Sequence, residues 1–269
     1  MANYLIVGIS SDISVSLARR YIGRGARVWG TYRSRSDAIE NLQALGAVLS
    51  FLDVDDPHSV AEFVGEMTAS GFLWNRFISA IGALAPIGPF FDTDFAAWDR
   101  SVRTNSLSQL HVLHSVFALR DQRELPRAIL FAGGGTNSPF DNYSAYCLGK
   151  IMLMKACELL DSEEQGLAIS ILGTGWVNTK IHGQTMAAGS MAGGNFDKTR
   201  DFLGSKATDG TSLETVGDCI DWCFASPREA VSGRNFSIVH DNWRDPSFID
   251  DLAREPSKGK LRRHWPHEN

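Results

Sequence analysis

Tyr146 is followed four residues later by Lys150, in Tyr146-Cys147-Leu148-Gly149-Lys150, at the head of an apolar-striped segment that reads through to Leu160. Residues four apart on a helix share a face. A phenol with a reference pKa near ~10 is a poor proton donor or acceptor at neutral pH, and an ammonium held beside it favours the phenolate and narrows that gap. The pair is a candidate general acid/base. The same spacing also arises in helices where both residues are merely structural, so its meaning depends on what the rest of the chain builds around it.

Short β-branched or apolar runs alternate with longer amphipathic segments, the pattern of parallel strands joined by crossover helices. The strands are expected at Tyr4 to Val7, Arg27 to Thr31, Val48 to Leu52, Arg76 to Ala80, Arg127 to Ala132, Leu167 to Leu172 and Asn235 to Val239. Helices are expected near Ile13 to Ile22, Ser36 to Leu45, Ser59 to Thr68, Phe95 to Leu119, Tyr146 to Leu160 and Ser212 to Phe224. This predicts an α/β fold, a doubly wound, Rossmann-like sheet of seven parallel strands with helices on both faces. A length of 269 residues without a repeat or low-complexity linker fits one dinucleotide-binding domain over 1–269. The stretch from about His182 to Asp209 lacks clear periodicity, reads as a loop, and by its place after the sixth strand is expected to be a substrate lid.

Composition excludes several classes. A net charge of -5 leaves no global basic field for nucleic acid. Cys147, Cys157, Cys219 and Cys223 form no CxxC pair and join no histidine cluster, so reduced buried thiols are expected and a metal site is not. The first residues enter an apolar run without a charged leader, and no stretch approaches a membrane span. The reading is a cytoplasmic, enzyme-like chain with a small-molecule substrate and neither nucleic acid nor membrane as partner.

The first strand runs into Gly8-Ile9-Ser10-Ser11-Asp12-Ile13-Ser14 and then a helix. Such a junction can seat a dinucleotide's phosphates against a helix N-terminus, with amides near Ser10, Ser11 and Ile13 as donors. An ordinary turn with Asp12 as helix cap explains the same residues, and the two accounts are compatible.

Taken together, these residues resemble the short-chain dehydrogenase/reductase family in its single-domain form, over nearly the whole chain. The family's glycine-rich turn aligns in degenerate form with Val7 to Ser14, where only Gly8 remains and Asp12 and Ser14 stand in place of glycines, its Asn-Asn-Ala-Gly with Ser79-Ala80-Ile81-Gly82, its helical asparagine with Asn105, its Tyr-x3-Lys with Tyr146 and Lys150, and its Pro-Gly-x-Val-x-Thr with Thr174 to Thr179. The resemblance implies hydride transfer between a nicotinamide and a carbonyl or alcohol carbon, with Tyr146 exchanging the proton. It also implies that Lys150 holds the nicotinamide ribose, Asn105 supports a water or backbone contact in a proton relay, and Thr179 fixes the carboxamide. Gly8, Ala80, Ile81 and Gly82 would line the cofactor, and Asp53-Val54 would touch the adenine ring. Members of the family commonly form dimers or tetramers through the two long helices, so a homodimer or homotetramer is expected.

Two departures carry information. The family's serine, thirteen residues before the tyrosine, is here Gly133 in Gly133-Gly134-Gly135-Thr136. The substrate oxygen would then be held by Thr136 or Ser138, or by the amides of the glycine run as an oxyanion hole, or redox chemistry is weak or lost and the protein is a dinucleotide-binding sensor or scaffold. At the end of the second strand Tyr32 stands where NAD-preferring members carry Asp, and Arg33-Ser34 follows. An arginine suits a bidentate phosphate contact, so NADP is the expected cofactor; Arg35 either adds to that field or faces solvent.

Trp176, His182 and Gln184 fall where the family shapes its substrate pocket, and each equally fits surface or packing. The basic ending Lys258 to His264 reads as a solvated tail, or as a reach toward a phosphorylated substrate. The glycine run and this ending are similar to family members of surface-polysaccharide and nucleotide-sugar pathways, which makes a keto-sugar the expected substrate class.

Overall fold

The run Tyr4-Leu5-Ile6-Val7 lacks polar alternation, as a strand covered on both faces requires. In the computed structural model, which describes residues 1–205 and 210–262, it lies in β1 (Asn3–Val7). Tyr4 and Ile6 enter one apolar layer, Leu5 and Val7 the other. The remaining strands are β2 (Arg27–Tyr32), β3 (Val48–Phe51), β4 (Arg76–Ser79), β5 (Arg127–Phe131), β6 (Ala168–Gly173) and β7 (Arg234–Ser237). They form one seven-stranded sheet in the order β3-β2-β1-β4-β5-β6-β7, with every pairing parallel. The winding reverses between β1 and β4, which opens a crevice at the carboxyl edge of the sheet.

One layer is closed by α1 (Asp12–Gly23), α2 (Asp37–Ala44), α9 (Leu213–Ala225) and α11 (Phe248–Arg254), through Leu17, Ile39, Ile220 and Phe248 among others. The opposite layer is closed by α3 (Pro57–Ser70), α5 (Leu107–Val116) and α6 (Ser144–Glu163), through Phe63, Val112, Leu153 and Cys157. All four cysteines are buried and free. No helix among the described residues is long and apolar enough to cross a membrane, and no group of three or more potential metal ligands is found among them.

Two expectations are corrected and a third is qualified. The helix expected from Phe95 to Leu119 is two, α4 (Phe95–Asn105) and α5, because Ser106 leaves helical geometry at φ -143° and ψ -82°, with a 3₁₀ turn at Phe117–Leu119. The expected loop after His182 is instead α7 (His182–Ala188), a 3₁₀ turn at Gly189–Ala192 and α8 (Gly194–Gly204). These helices are short and punctuated by Gly189, Gly193 and Gly194, so no apolar period develops. The basic tail is tied to the body in its described part, although Gly259 and Arg262 remain exposed: the Gly259 carbonyl accepts from Asn235 N–H at 2.7 Å, and Arg262 pairs with Glu158 at 2.5 Å. Asp209 of the expected lid, and Arg263 and His264 of the tail, lie outside the described residues. The short α10 (Arg228–Val231) completes the elements described.

Helices α4 and α6 cross where Gly149 faces Asn105. A Cβ built on Gly149 would stand 2.7 Å from Asn105 Cβ and 3.1 Å from the Val102 carbonyl oxygen. This bare position brings the asparagine-bearing end of α4 against the tyrosine-bearing start of α6.

Candidate active site

Tyr146 and Lys150, one turn apart on α6, are both buried beneath the carboxyl edge of the sheet. The Lys150 ammonium donates to the Ile81 carbonyl at 2.8 Å and lies 5.9 Å from the centre of the Tyr146 ring. Burial pushes Lys150 down to about 7 and raises Tyr146 well above the usual phenol range, with the neighbouring Cys147 adding to that rise. The expectation that the ammonium would draw the phenol downward is therefore corrected. Desolvation, which disfavours the charged form of either group, dominates both, and the lysine's hydrogen bond goes to a carbonyl rather than to the phenol.

Asn105 ends α4 at the break. Its Oδ1 accepts from Ala83 N–H at 3.1 Å, while its Nδ2 donates to the Ala83 carbonyl at 2.8 Å and the Ser101 carbonyl at 2.9 Å. The side chain is thus spent on a backbone contact, and Lys150 and Asn105 grip the same segment, Ile81 to Ala83. Gln109, fully buried, reaches it as well: it accepts from the Ser79 hydroxyl at 2.8 Å and donates weakly toward the Ile81 carbonyl at 3.4 Å. No sequence motif marked Gln109, because a glutamine inside an amphipathic helix ordinarily faces water.

Gly133 follows β5 directly under the tyrosine. A Cβ built on it would collide with the hydroxyl, Cζ and Cε1 of Tyr146. The phenol therefore occupies the space that a side chain at 133 would need. Thr136 lies half-buried in the turn beyond, and in that turn Gly135 packs against Cys147 and Phe140, while the Cys147 thiol donates to the Gly134 carbonyl at 3.4 Å.

Apart from Tyr146 and Lys150 on α6, the expected cofactor residues lie in the segments that follow the strands' carboxyl ends or at the start of α1. Gly8, after β1, has φ +75°, and a Cβ there would stand 3.0 Å from Ile81 Cγ1, so the bare backbone lets the two turns meet. Its N–H donates to Thr31 Oγ1 at 3.2 Å. The cap of α1 is Ser11, not Asp12: Ser11 Oγ accepts from Ser14 N–H at 3.1 Å. The Ser11 amide is also taken, by the Gly8 carbonyl at 3.1 Å, so it is withdrawn from the phosphate donors, whereas a helix's first-turn N–H groups such as those of Asp12 and Ile13 have no intrahelical acceptor. Ser10, Ile13, Ala80, Ile81 and Gly82 are half-buried along the crevice. Arg33, Ser34 and Arg35 are exposed after β2, and the Arg35 guanidinium lies 5.7 Å from the Tyr32 ring centre.

Asp53 and Val54 follow β3, half-buried. Asp55 beyond them accepts from Thr104 Oγ1 and Ser108 Oγ, each at 2.6 Å, one on either side of the helix break. Thr179, after β6, donates from its hydroxyl to the Val177 carbonyl at 3.3 Å.

The segment after Thr179 covers Tyr146. Ala192, Ile181, Ala188 and Phe196 pack on Leu84, Tyr143, Tyr146 and Cys147. Polar ties hold it there: Gln184 Oε1 accepts from Leu84 and Ala85 N–H at 2.9 and 3.1 Å, the Tyr143 hydroxyl donates to Thr185 at 2.8 Å, and Asn142 Nδ2 donates to the Met191 carbonyl at 2.9 Å. Asn142 adopts φ +72°, a conformation asparagine tolerates better than most residues. His182 is spent on packing: its Nε2 meets the Val177 carbonyl at 2.9 Å, its ring stacks on Trp176 at 5.3 Å, and burial lowers its pKa. Beside this cover lies a cleft of about 740 Å³, walled by Phe90, Phe140, Asp141, Asn142, Ser144 and Cys147.

Residues 8–215 match a family model described as Enoyl-(Acyl carrier protein) reductase. The Cyclic-di-GMP-binding biofilm dispersal mediator protein of Escherichia coli (strain K12) is 28% identical over 179 residues, 65% of this chain and 73% of that protein. Among solved structures, the KRED1-Pglu enzyme superposes with a TM-score of 0.78 at 18% identity, over 88% of this chain and 100% of the other. BdcA in complex with NADPH superposes with a TM-score of 0.70 at 22% identity, over 99% and 98%. At these identities the structural likeness speaks to the fold.

The buried lysine makes stability depend on pH. In the native state Lys150 releases its proton near 7, while in the unfolded chain it does so near 10.5. Between those values the unfolded state binds more protons, so this residue's contribution makes stability rise with pH, by at most about 1.4 kcal/mol per pH unit. Below 7 both states are protonated and the desolvation cost is constant. Urea unfolding of the wild type and Lys150→Met should therefore give a stability difference that is flat below pH 7 and shifts toward the wild type between 7 and 10. A difference independent of pH across that window would show that the ammonium is not desolvated.

Proposed function

The chain belongs to the short-chain dehydrogenase/reductase family, a family of NAD(P)-dependent oxidoreductases, and we propose that it is an NADP-preferring member that interconverts a carbonyl and an alcohol on a small molecule, a keto-sugar first among them. The observation that carries the reading is the buried Tyr146 and Lys150 pair set on Ile81, at the crevice where the sheet reverses its winding.

The residues present fit a dinucleotide. Gly8 leaves its backbone bare at the crevice, first-turn amides of α1 face it, and Arg33 is exposed and in no ion pair among the described residues. Arg33 and Ser34 would hold the 2′-phosphate, Asp53 and Val54 the adenine, Ala80 to Gly82 the central part, and Thr179 the carboxamide. When bound, the nicotinamide supplies or accepts the hydride. Lys150 would bind the nicotinamide ribose, and Tyr146 would give or take the proton at the substrate oxygen. Asn105 would hold the Ala83 peptide in the relay. With no side chain at Gly133, Thr136 or the amides of the glycine turn would polarise that oxygen. The cleft supports the sugar reading, because Phe90 and Phe140 offer ring faces while Asp141, Asn142 and Ser144 offer partners for hydroxyls.

A second reading, a catalytically weak dinucleotide-binding sensor or scaffold, draws on Gly133, where the tyrosine fills the place of a serine. The name of the Escherichia coli relative, a cyclic-di-GMP-binding protein, points the same way. The exposed Leu148, Met152 and Leu159 lie along one stripe of α6 and support the homodimer or homotetramer reading. Light scattering should then give two or four times the chain mass, and a monomer at micromolar concentration would refute this part.

NADPH oxidation followed against keto-sugars and simple ketones separates the two functional readings. On any substrate turned over, Tyr146→Phe should abolish the rate while changing NADPH affinity little. Wild-type turnover in that variant would remove Tyr146 as the acid/base, and NADPH binding without turnover across the panel would favour the sensor.

Cofactor preference is tested by titration calorimetry. NADPH should bind more tightly than NADH, and Arg33→Ala should weaken NADPH by roughly ten- to a hundredfold, the range of a charge-assisted contact. Equal affinities for the two dinucleotides would overturn the NADP assignment.

A further inference from the structure

Asp12 stands in the first turn of α1, at the helix end where a dinucleotide's diphosphate is drawn by free amides and the helix dipole. A carboxylate there repels what the amides attract. The turn from Gly8 to Ser14 contains no basic residue to offset it.

A cation arrives from 168 residues along the chain, on the segment after β6. The backbone N–H of Lys180 donates to Asp12 Oδ2 at 2.7 Å, and its ammonium donates to the Ser10 carbonyl at 2.5 Å. The first bond engages the carboxylate with a peptide N–H and hangs the segment over the turn. The second sets the ammonium at the mouth of α1 instead of pairing it with Asp12. An ammonium has three donors, and the Ser10 carbonyl uses one.

We infer that Lys180 is a cofactor ligand whose ammonium binds the diphosphate of the dinucleotide, with Asp12 as the residue that positions it. The inference rests on the cofactor reading given under Proposed function. It accounts for a carboxylate at an anion-binding helix end, since that carboxylate brings a cation of its own to the site.

The test compares NADPH with adenosine 2′-monophosphate, which keeps the Arg33 end of the cofactor and lacks the diphosphate. Affinities for both are measured by calorimetry or ligand-observed NMR for the wild type, Lys180→Met and Lys180→Arg. Lys180→Met should weaken NADPH about three- to thirtyfold, the charged-hydrogen-bond range discounted for solvent screening, and leave the monophosphate unchanged. Lys180→Arg should stay close to wild type. Added salt should weaken wild-type NADPH binding more than that of Lys180→Met. Undiminished NADPH affinity in Lys180→Met overturns the inference, as does an equal loss for both ligands, which would mean that Lys180 acts only by holding its segment in place. Failure of the wild type to bind either ligand would bring down the cofactor reading itself and this inference with it.

Discussion

Lys150 is a buried ammonium, and the carbonyl of Ile81 is the acceptor that receives it. An isolated charge in such a place costs several kcal/mol unless it is paired or loses its proton. The structure does some of each: one hydrogen bond is supplied and the pKa falls to about 7. Much of the surrounding architecture holds that acceptor. Asn105 clamps Ala83 on both sides of its peptide, Gln109 ties Ser79 to the same turn, and Gly149 lets α4 approach closely enough for Asn105 to reach. The break at Ser106 belongs to this scheme, because it ends α4 where the asparagine must leave the helix and enter the crevice.

Tyr146 depends on the same packing from the other side. Its ring rests on the bare backbone of Gly133, under a cover of short helices joined by hydrogen bonds to the turns below. Dryness is common to both members of the pair and moves them apart in pKa: the phenol rises and the ammonium falls. A proton exchanged at this site therefore depends on what else enters it, since a bound anion or dipole would change the balance that burial alone sets.

The fold was legible in the sequence because buried strands such as Tyr4 to Val7 and Ala128 to Phe131 read as unbroken apolar runs, and because Gly8 and Gly133 stand just past their ends. The site was legible where spacing along one helix was enough, as for Tyr146 and Lys150. What stayed hidden depends on contacts across long stretches of chain. Lys180 meets Asp12 from 168 residues away, Gln109 is buried on a helix face beside Val112, Leu113 and Val116 although its type suggests a surface position, and α7 and α8 are too short to show a period. The break in the helix at Ser106 left no proline or glycine as a sign. Asp12 and Ser11 are both residue types that cap helices, so the sequence does not distinguish them, and the cap is Ser11.

Asp55 joins the turn after β3 to both sides of the helix break, through Thr104 and Ser108. Mechanically it is a strut. A hinge spanned by such a brace cannot flex without stretching one of two short bonds, so the interruption between α4 and α5 behaves as a rigid elbow. Any shift of the turn after β3 is then carried to the elbow as a whole, and with it to Asn105, the last residue of α4.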